Sequence, residues 1–247
     1  MSHESKDTGL DLRERGAPRD GEPQILDRRL FVQLLVFDCD KELVASDAVK
    51  NLRAGLEQRK AASVLYADVN NPAGIGVLSF SEDPADFVTR VRPLFAEPEM
   101  RGLVLRHELT MLGRTYSSGF EPDLEFWLLK RPRETLMNEE WPWAVWYPLR
   151  RSGAFEQLEG KEKGQILREH AAIGKAYGAA DLAHDIRLAC HGLDANDNEF
   201  VIGLIGRELY PLSHVVQAMR HTRQTSEFIV QMGPFFVGRV LHRIPGG

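Results

Sequence analysis

One histidine in the chain lies among apolar residues at helical spacing. In the stretch ILREHAAIGKAYG, four positions fall on one helix face: Ile166, His170, Ile173 and Tyr177. A histidine on such a face is most often a core residue with a satisfied hydrogen bond. The same placement also suits the proximal ligand of a haem iron, and Gly174 leaves room for a flat group one turn further on. From this stretch alone, both interpretations of His170 stay open.

An aromatic strand supplies a second group that could do chemistry. The run PWAVWYPLRR, residues 142–151, has the composition of a strand that carries Tyr147. Its tryptophans fit a core strand, whereas a buried phenol needs a hydrogen-bond partner. Arginines recur near strand ends, and their convergence would form a site for carboxylates, which guanidinium groups bind in bidentate fashion. These arginines are Arg114, Arg133, Arg150, Arg151, Arg220 and Arg223.

The elements that must position these groups occur in the same order twice. Hydrophobic patterns give the order βαββαβ over residues 28–118 and again over residues 142–247. Residues 119–141 link the copies and contain a possible further strand, DLEFWLLKRPR, while the polar residues 1–27 are predicted to form a flexible tail. The duplication predicts an α+β fold of two tandem ferredoxin-like repeats. We expect their sheets to pack face to face into a barrel-like body of the dimeric α+β barrel type, with the helices outside.

Composition excludes several classes of function. The 247 residues carry a net charge of −5, which offers no basic surface for nucleic acid or anionic lipid. No apolar stretch approaches the roughly 18–20 residues that a membrane span requires, and the first residues do not resemble a secretory signal. Cys39 and Cys190 lie outside any C-x-x-C pattern, which argues against a disulfide framework or a zinc site. We therefore expect a cytoplasmic protein with neither nucleic-acid nor membrane partners.

Several short motifs follow one another through residues 105–243. They are LGRTYS, RPR, WYPLRR, REHAAIG, GLD and AMRHTRQT followed by MGPFFVG. Their order and spacing resemble the chlorite dismutase superfamily, and most closely its branch of coproheme decarboxylases of bacterial haem synthesis. Residues before this stretch share only the pattern of elements. The chain is thus identified from its motifs as a member of that superfamily.

The resemblance implies a role for individual residues. His170 matches the axial ligand of the haem iron, and Tyr147 matches the tyrosine that forms a radical during decarboxylation. Asp185 stands at the position of the distal arginine of the dismutases, with Arg187 beside it on the same face. The Y-P-L-R-R run lacks the decarboxylase lysine, so an adjacent arginine, Arg150 or Arg151, must replace it. The propionate side of the porphyrin is expected to contact Arg133, Arg220, Thr225, Tyr116 and Arg150.

Two further departures from the family pattern bear on the activity. Ala171 stands where relatives usually have glycine, and Gly206 stands where the dismutases place a glutamate behind the proximal histidine. Without that carboxylate the imidazole has less anionic character, which disfavours the strongly oxidised iron chemistry of chlorite dismutation. The decarboxylase interpretation is therefore preferred to chlorite degradation.

The resemblance implies an oxidoreductase of haem biosynthesis. Peroxide would drive decarboxylation of the propionates of iron coproporphyrin III, giving haem b. A first alternative is a haem- or porphyrin-binding protein without turnover, motivated by the missing lysine, Ala171 and Asp185. Chlorite or peroxide detoxification is a second, and a haem-free assembly role for the fold is a third. Family relatives also form homo-oligomers, commonly pentamers.

Overall fold

A computed structural model describes residues 9–40 and 43–247. The strands are β1 Glu14–Arg15, β2 Ile25–Leu26, β3 Phe31–Cys39, β4 Ser63–Asp68, β5 Gly74–Ser81, β6 Leu103–Leu105, β7 Met111–Arg114, β8 Trp143–Arg151, β9 His184–Ala189, β10 Phe200–Gly206, β11 Ile229–Met232 and β12 Phe236–Ile244. The α-helices are α1 Ala45–Gln58, α2 Arg131–Met137, α3 Gly153–Glu156, α4 Gly160–Ala179 and α5 Leu209–Met219. Shorter helical turns cover Phe87–Val91, Arg92–Ala96, Pro98–Met100, His107–Leu109, Phe126–Lys130 and Gln224–Phe228. Within the described ranges, no helix is long and apolar enough to cross a bilayer.

Two βαββαβ units account for most of these elements, as the sequence predicts. The first runs β3, α1, β4, β5, the helical turns over 87–96, and β7; the second runs β8, α4, β9, β10, α5 and β12. Their sheets have the orders β7-β3-β5-β4 and β12-β8-β10-β9, with every pairing antiparallel. In each sheet the fourth strand flanks the first and the second flanks the third, which is the ferredoxin-like arrangement. The predicted fold class is confirmed.

The two sheets join at their edges and do not stack as separate layers. Strand β12 pairs with β4 along most of its length, and Arg114 of β7 pairs with Ala189 of β9. These two contacts close the eight strands into one barrel. Closure satisfies the backbone groups that the edge strands would otherwise expose, which is why edge joining is preferred over face-to-face stacking.

Alternating side chains of the strands fill the barrel. The largest fully buried ones are Trp146, Tyr66 and Phe236. Room for Trp146 comes from Gly203, its partner in the register of β8 and β10, because a Cβ at that position would overlap the indole ring. The interior of a barrel of this size is a packed core, so such large residues require small ones opposite them.

The helices cover the outer surface of the barrel unequally. Helix α1 buries Ala48, Leu52 and Leu56 completely, at the spacing of one helix face. Helix α4 has 20 residues, yet Ile166 is the one that is fully buried. The first repeat is therefore sealed by its helix, whereas the residues of α4 that face the second-repeat sheet, such as Ile173 and Tyr177, stay half-buried. We call the loosely packed space between α4 and this sheet the gap.

The segment predicted as a flexible tail is attached to the barrel over the residues that the structure describes. Strands β1 and β2 form a short antiparallel pair. Glu14 accepts bonds from Arg29 and from the backbone N–H of Ser117, and Gln24 donates to the carbonyls of Glu121 and Pro122. Residues 9–27 of the predicted tail thus make specific contacts with the rest of the chain through their polar side chains, and residues 1–8 lie outside the described residues.

The linker 119–141 is helical where a further strand was predicted. The turn Phe126–Lys130 leads directly into α2. Its buried apolar residues, Leu124, Leu128 and Leu136, repeat at multiples of four, which is a helical period. The prediction of a strand is wrong because this run of apolar residues packs one helix face on the barrel core.

Substitution of Gly203 tests the packing inside the barrel. Gly203→Ala should lower the free energy of unfolding by about 1–3 kcal/mol, because the new methyl group forces the enclosed Trp146 ring out of place. Gly160→Ala is the matched control, since no atom lies within 4 Å of a Cβ built there. Urea unfolding of the three proteins makes the comparison, and equal losses for both variants would contradict the packing described here.

Candidate functional site

The gap beneath α4 has an apolar lining. Ile173 and Tyr177 of α4 are half-buried against the outward side chains of β8 and β10, among them Val145 and Leu204. Gly174 also belongs to this face, and a Cβ built there would meet only Met219 at 3.6 Å. The helix face predicted from the sequence therefore does point to the sheet, without packing closely on it.

His170 lies half-buried on the same face of α4. Its Nδ1 is 3.2 Å from the hydroxyl of Thr222, while Nε2 makes no hydrogen bond with any described residue. Burial lowers the pKa of His170, and the positive charge of Arg187 acts in the same direction. The imidazole is thus neutral near pH 7, which is the state in which histidine binds a metal.

The register of three strands places further polar groups on the sheet wall of the gap. Ile202 of β10 is paired with Tyr147 of β8 on one side and with Arg187 of β9 on the other. In the next row on that face, Leu204 pairs with Asp185. Neighbouring strands are about 4.8 Å apart, so Tyr147 and Arg187 are separated by about 10 Å across the sheet.

Tyr147 is almost enclosed, and its hydroxyl is not engaged. The residue is 6% exposed, and its ring stacks on Phe235 with the centroids 4.6 Å apart. No hydrogen bond joins the hydroxyl to any residue that the structure describes. Burial raises the pKa of Tyr147, Asp185 adds to the rise and Arg220 opposes it. The phenol is therefore neutral and free to contact a ligand.

Asp185 is clamped between two guanidinium groups. Arg131 donates to its carboxylate at 2.8 Å and to its backbone carbonyl at 2.8 Å, and Arg187 approaches the other carboxylate oxygen at 3.1 Å. Burial alone would raise the pKa of Asp185, but the two arginines outweigh it and hold that pKa below its ordinary value. The sheet wall therefore carries an ionised carboxylate beside the cationic Arg187.

The arginine that reaches this wall is Arg131, which the sequence analysis did not select. The resemblance pointed to Arg133 in the same RPR motif, but the structure pairs Arg133 with Glu82 of the first repeat at 2.9 Å. In a helix, residues two apart point in nearly opposite directions, so only one arginine of the motif can face the gap. The signal that would have found Arg131 is the helical period of the linker.

Arg220 follows α5 and is close enough to Tyr147 to affect its ionisation. Its side chain is exposed and forms no ion pair or hydrogen bond with the described residues. An unpaired guanidinium at the mouth of an apolar gap is suited to a carboxylate of a bound molecule.

Three other predicted propionate contacts lie in different surroundings. Arg150 is on the face of β8 opposite Tyr147, where it donates to the carbonyl of Asn196 at 2.7 Å and to the side chain of Gln231 at 2.8 Å. Thr225 contacts the hydroxyl of Thr222 at 3.2 Å, behind His170. Tyr116 lines a small cavity together with Arg131 and Arg187, next to the gap. Of the arginines after Tyr147, Arg151 shares its face but is bound to Glu199.

These groups fit a haem. The gap offers one neutral imidazole from His170 on the helix wall, an apolar lining, an unengaged phenol from Tyr147 and an unpaired cation from Arg220. A porphyrin needs an axial ligand, apolar walls for its faces and cations for its propionates. His170 would hold the iron, and Arg220 would bind a propionate.

Replacement of Asp185 tests the electrostatics of the sheet wall. A carboxylate whose pKa is lowered by folding stabilises the fold above its ordinary pKa near 3.9 and loses that effect as pH falls through the folded value. Since 36% of the Asp185 side chain is exposed, water screens the pair, and Asp185→Asn should cost about 1 kcal/mol at pH 7. Urea unfolding should show this deficit narrowing below about pH 3.9.

The control for this measurement is Asp20→Asn, at an exposed turn. Asp20→Asn should leave the free energy of unfolding unchanged at pH 7 and at pH 3. A deficit for Asp185→Asn that persists undiminished at pH 3 would show that the Arg131 and Arg187 contacts do not stabilise the ionised carboxylate.

Solved structures of chlorite dismutases and of a haem-binding protein have a fold similar to that of this chain. The chlorite dismutase candidate TA0507 superposes with a TM-score of 0.70 at 15% identity, over 87% of this chain and 95% of that one. A haem-binding protein from Thermus thermophilus gives 0.69 at 19% identity, over 87% and 92%. Chlorite dismutase from Candidatus Nitrospira defluvii in complex with imidazole gives 0.69 at 14% identity, over 86% and 91%.

The sequence itself matches a family as well as a fold. A search of curated proteins returned no match to this chain. The sequence profile of the family described as Chlorite dismutase matches residues 42–241, which is most of the chain. The chain therefore belongs to the chlorite dismutase family.

Proposed function

We propose that this protein binds iron coproporphyrin III between α4 and the β8–β10 wall and decarboxylates its propionates with peroxide to form haem b. The observation that carries the proposal is the meeting of two groups across one apolar gap. A neutral imidazole, His170, lies on the helix wall, and an unengaged phenol, Tyr147, lies on the sheet wall. Membership of a family with a haem-binding structural neighbour supports a porphyrin as the ligand.

The reaction balances as a two-electron oxidation of each propionate. One propionate, one hydrogen peroxide and one proton give a vinyl group, carbon dioxide and two molecules of water. The iron porphyrin supplies the redox centre at which peroxide is reduced, and the protein supplies binding, orientation and charge. The work of the chain is therefore to hold the propionate near a residue that can pass on a hydrogen atom.

Tyr147 is that residue in the proposal. Its hydroxyl would give up a proton and an electron, both consumed in the reduction of peroxide to water, and would recover a hydrogen atom from the propionate chain. The second electron of the propionate would pass to the same reduction as carbon dioxide leaves. Burial keeps the proton on the oxygen beforehand by raising the pKa of the phenol. Stacking on Phe235, with the ring centroids 4.6 Å apart, holds the ring in place.

The remaining polar groups would orient the substrate and take part in proton transfer from peroxide. Arg220 neutralises a propionate, since its guanidinium has no other partner among the described residues. Asp185, held ionised by Arg131 and Arg187, is positioned on the wall opposite His170 to accept a proton from peroxide. Arg187 balances the negative charge that then develops. Tyr116 lines the small neighbouring cavity beside Arg187.

A second candidate is porphyrin binding without turnover. The two arginines after Tyr147 favour this candidate. Arg150 lies on the face of β8 opposite Tyr147, and Arg151 forms an ion pair with Glu199, so neither takes the place of the missing lysine. In that case His170 and Arg220 would still bind the porphyrin, and no carbon dioxide would be released. Chlorite or peroxide breakdown by the same bound iron is a further possibility within the family.

A titration with iron coproporphyrin III tests the first proposal. The wild-type protein should develop a Soret band and, after addition of peroxide, release porphyrin that has lost carbon dioxide and two hydrogens for each reacted propionate. His170→Ala should lose the band, because no axial ligand remains. Tyr147→Phe should keep the band and lose the product. A band without product in the wild type would favour the binding protein, and unchanged product from Tyr147→Phe would remove Tyr147 from the mechanism.

The two candidate propionate arginines can be separated by equilibrium binding. Arg220→Ala should weaken the binding of iron coproporphyrin III by roughly 10- to 150-fold, the value of a charge-assisted hydrogen bond. Arg133→Ala is the matched control and should leave the Kd unchanged, because its partner is Glu82. A loss confined to Arg133→Ala would mean that the propionates lie on the other side of the barrel.

The assembly belongs to the proposal as well. By resemblance to the family, the functional form is a homo-oligomer, commonly a pentamer, that works in haem biosynthesis. All the side chains assigned here belong to one subunit.

A further inference from the structure

We propose that Thr222 is the positioning residue that sets the tautomer of His170 and aims its Nε2 atom into the gap. The inference rests on the proposed function in that it takes His170 as the axial ligand. In the family pattern, Gly206 is expected where chlorite dismutases have a glutamate behind the ligand, which would leave the imidazole unsupported. Thr222 supplies a support of a different chemical kind.

Thr222 is placed to hold the imidazole from behind. The residue is 1% exposed, and its hydroxyl is 3.2 Å from Nδ1 of His170. It lies in the turn between α5 and the helical turn Gln224–Phe228, whose own hydrogen bonds hold it. Gly206 does not contact the imidazole of His170; it packs against the carbonyl of Leu182 and the side chain of Leu212.

The direction of the hydrogen bond follows from the other partner of the hydroxyl. The Thr222 hydroxyl has one proton, and its shortest contact is the carbonyl of Met219 at 2.8 Å. A carbonyl can only accept a hydrogen bond, so the Thr222 hydroxyl donates its proton to the carbonyl oxygen of Met219. The hydroxyl oxygen then accepts from Nδ1 of His170, as it also accepts from the backbone N–H of Thr225 at 3.4 Å. Nδ1 of His170 must therefore carry the ring proton.

A proton on Nδ1 leaves the lone pair on Nε2. The hydrogen bond made by one ring nitrogen decides which nitrogen is available to a metal. Nε2 of His170 makes no hydrogen bond within the described part of the chain, and its ring feels the charges of Asp185 and Arg187 on the facing wall. The Thr222 contact therefore prepares the ligand atom before any porphyrin binds.

The acceptor is a neutral hydroxyl and not a carboxylate, which has a chemical consequence. A carboxylate would draw the Nδ1 proton and make the imidazole more electron-rich, stabilising oxidised iron. A hydroxyl orients the ring with little added basicity. His170 is accordingly held in one orientation, but it donates less electron density to the iron than a histidine paired with a carboxylate would.

The first test reads the tautomer of the apoprotein and needs no porphyrin. Histidine in water favours the proton on Nε2, so a proton on Nδ1 is diagnostic. Protein labelled with ¹⁵N-histidine should show His170, identified by its absence in His170→Gln, in the Nδ1–H form near pH 7.5. Thr222→Val should shift this signal toward the Nε2–H form, while Thr222→Ser should retain it. Ser226→Ala is the control and should leave the signal in place, since its hydroxyl contacts only the backbone carbonyl of Thr222.

The second test uses haemin as the probe. Thr222→Val should weaken haemin binding by about 10- to 100-fold and lower the ferrous iron–histidine stretching frequency, whereas Thr222→Ser should match the wild type. An Nε2–H signal for His170 in the wild-type apoprotein would overturn the inference outright, even if Thr222→Val fails to fold. Failure of haemin to bind the wild type would contradict the proposed function and leave the tautomer result to decide this inference.

Discussion

The site depends on how β10 is paired between β8 and β9. Because Ile202 has Tyr147 on one side and Arg187 on the other, the three strands present their chemistry on one face of the sheet. A shift of one residue in either pairing would turn Tyr147 or Asp185 into the barrel core. The core resists such a shift, since Trp146 requires Gly203 directly opposite it. The packing inside the barrel thus fixes the polar groups outside it.

The two halves of the molecule use the same fold for different purposes. In the first repeat, α1 packs on its sheet with a fully buried face, and the helix contributes to stability. In the second repeat, α4 buries little and keeps a histidine, a glycine and two half-buried apolar residues toward the sheet. Apolar surface left half-exposed in this way gives up stability that closer packing would provide, which is consistent with space kept for a ligand.

The charged side chains around the gap differ in whether they already have a partner of opposite charge. Arg131 and Arg187 are already bound to Asp185, so they shape the wall, whereas Arg220 is unpaired within the described residues. His170 is neutral because of burial and the nearby cation. The cation that is available to an incoming carboxylate is therefore Arg220, whereas Arg131 and Arg187 already neutralise Asp185.

The amino-acid sequence by itself determined the repeated βαββαβ order, the apolar face that contains His170 and the strand that contains Tyr147, since these depend on local hydrophobic period and on short motifs. It did not determine that the sheets join at their edges, because edge pairing is a long-range contact without a local signature. It also favoured Arg133 and Arg150, which the structure turns away from the gap, because a side chain's direction depends on the helix or strand that carries it. Arg131 and Thr222 became visible only in the tertiary structure. Each acts through a partner more than fifty residues away, Asp185 and His170 respectively, and only the folded chain brings those partners together.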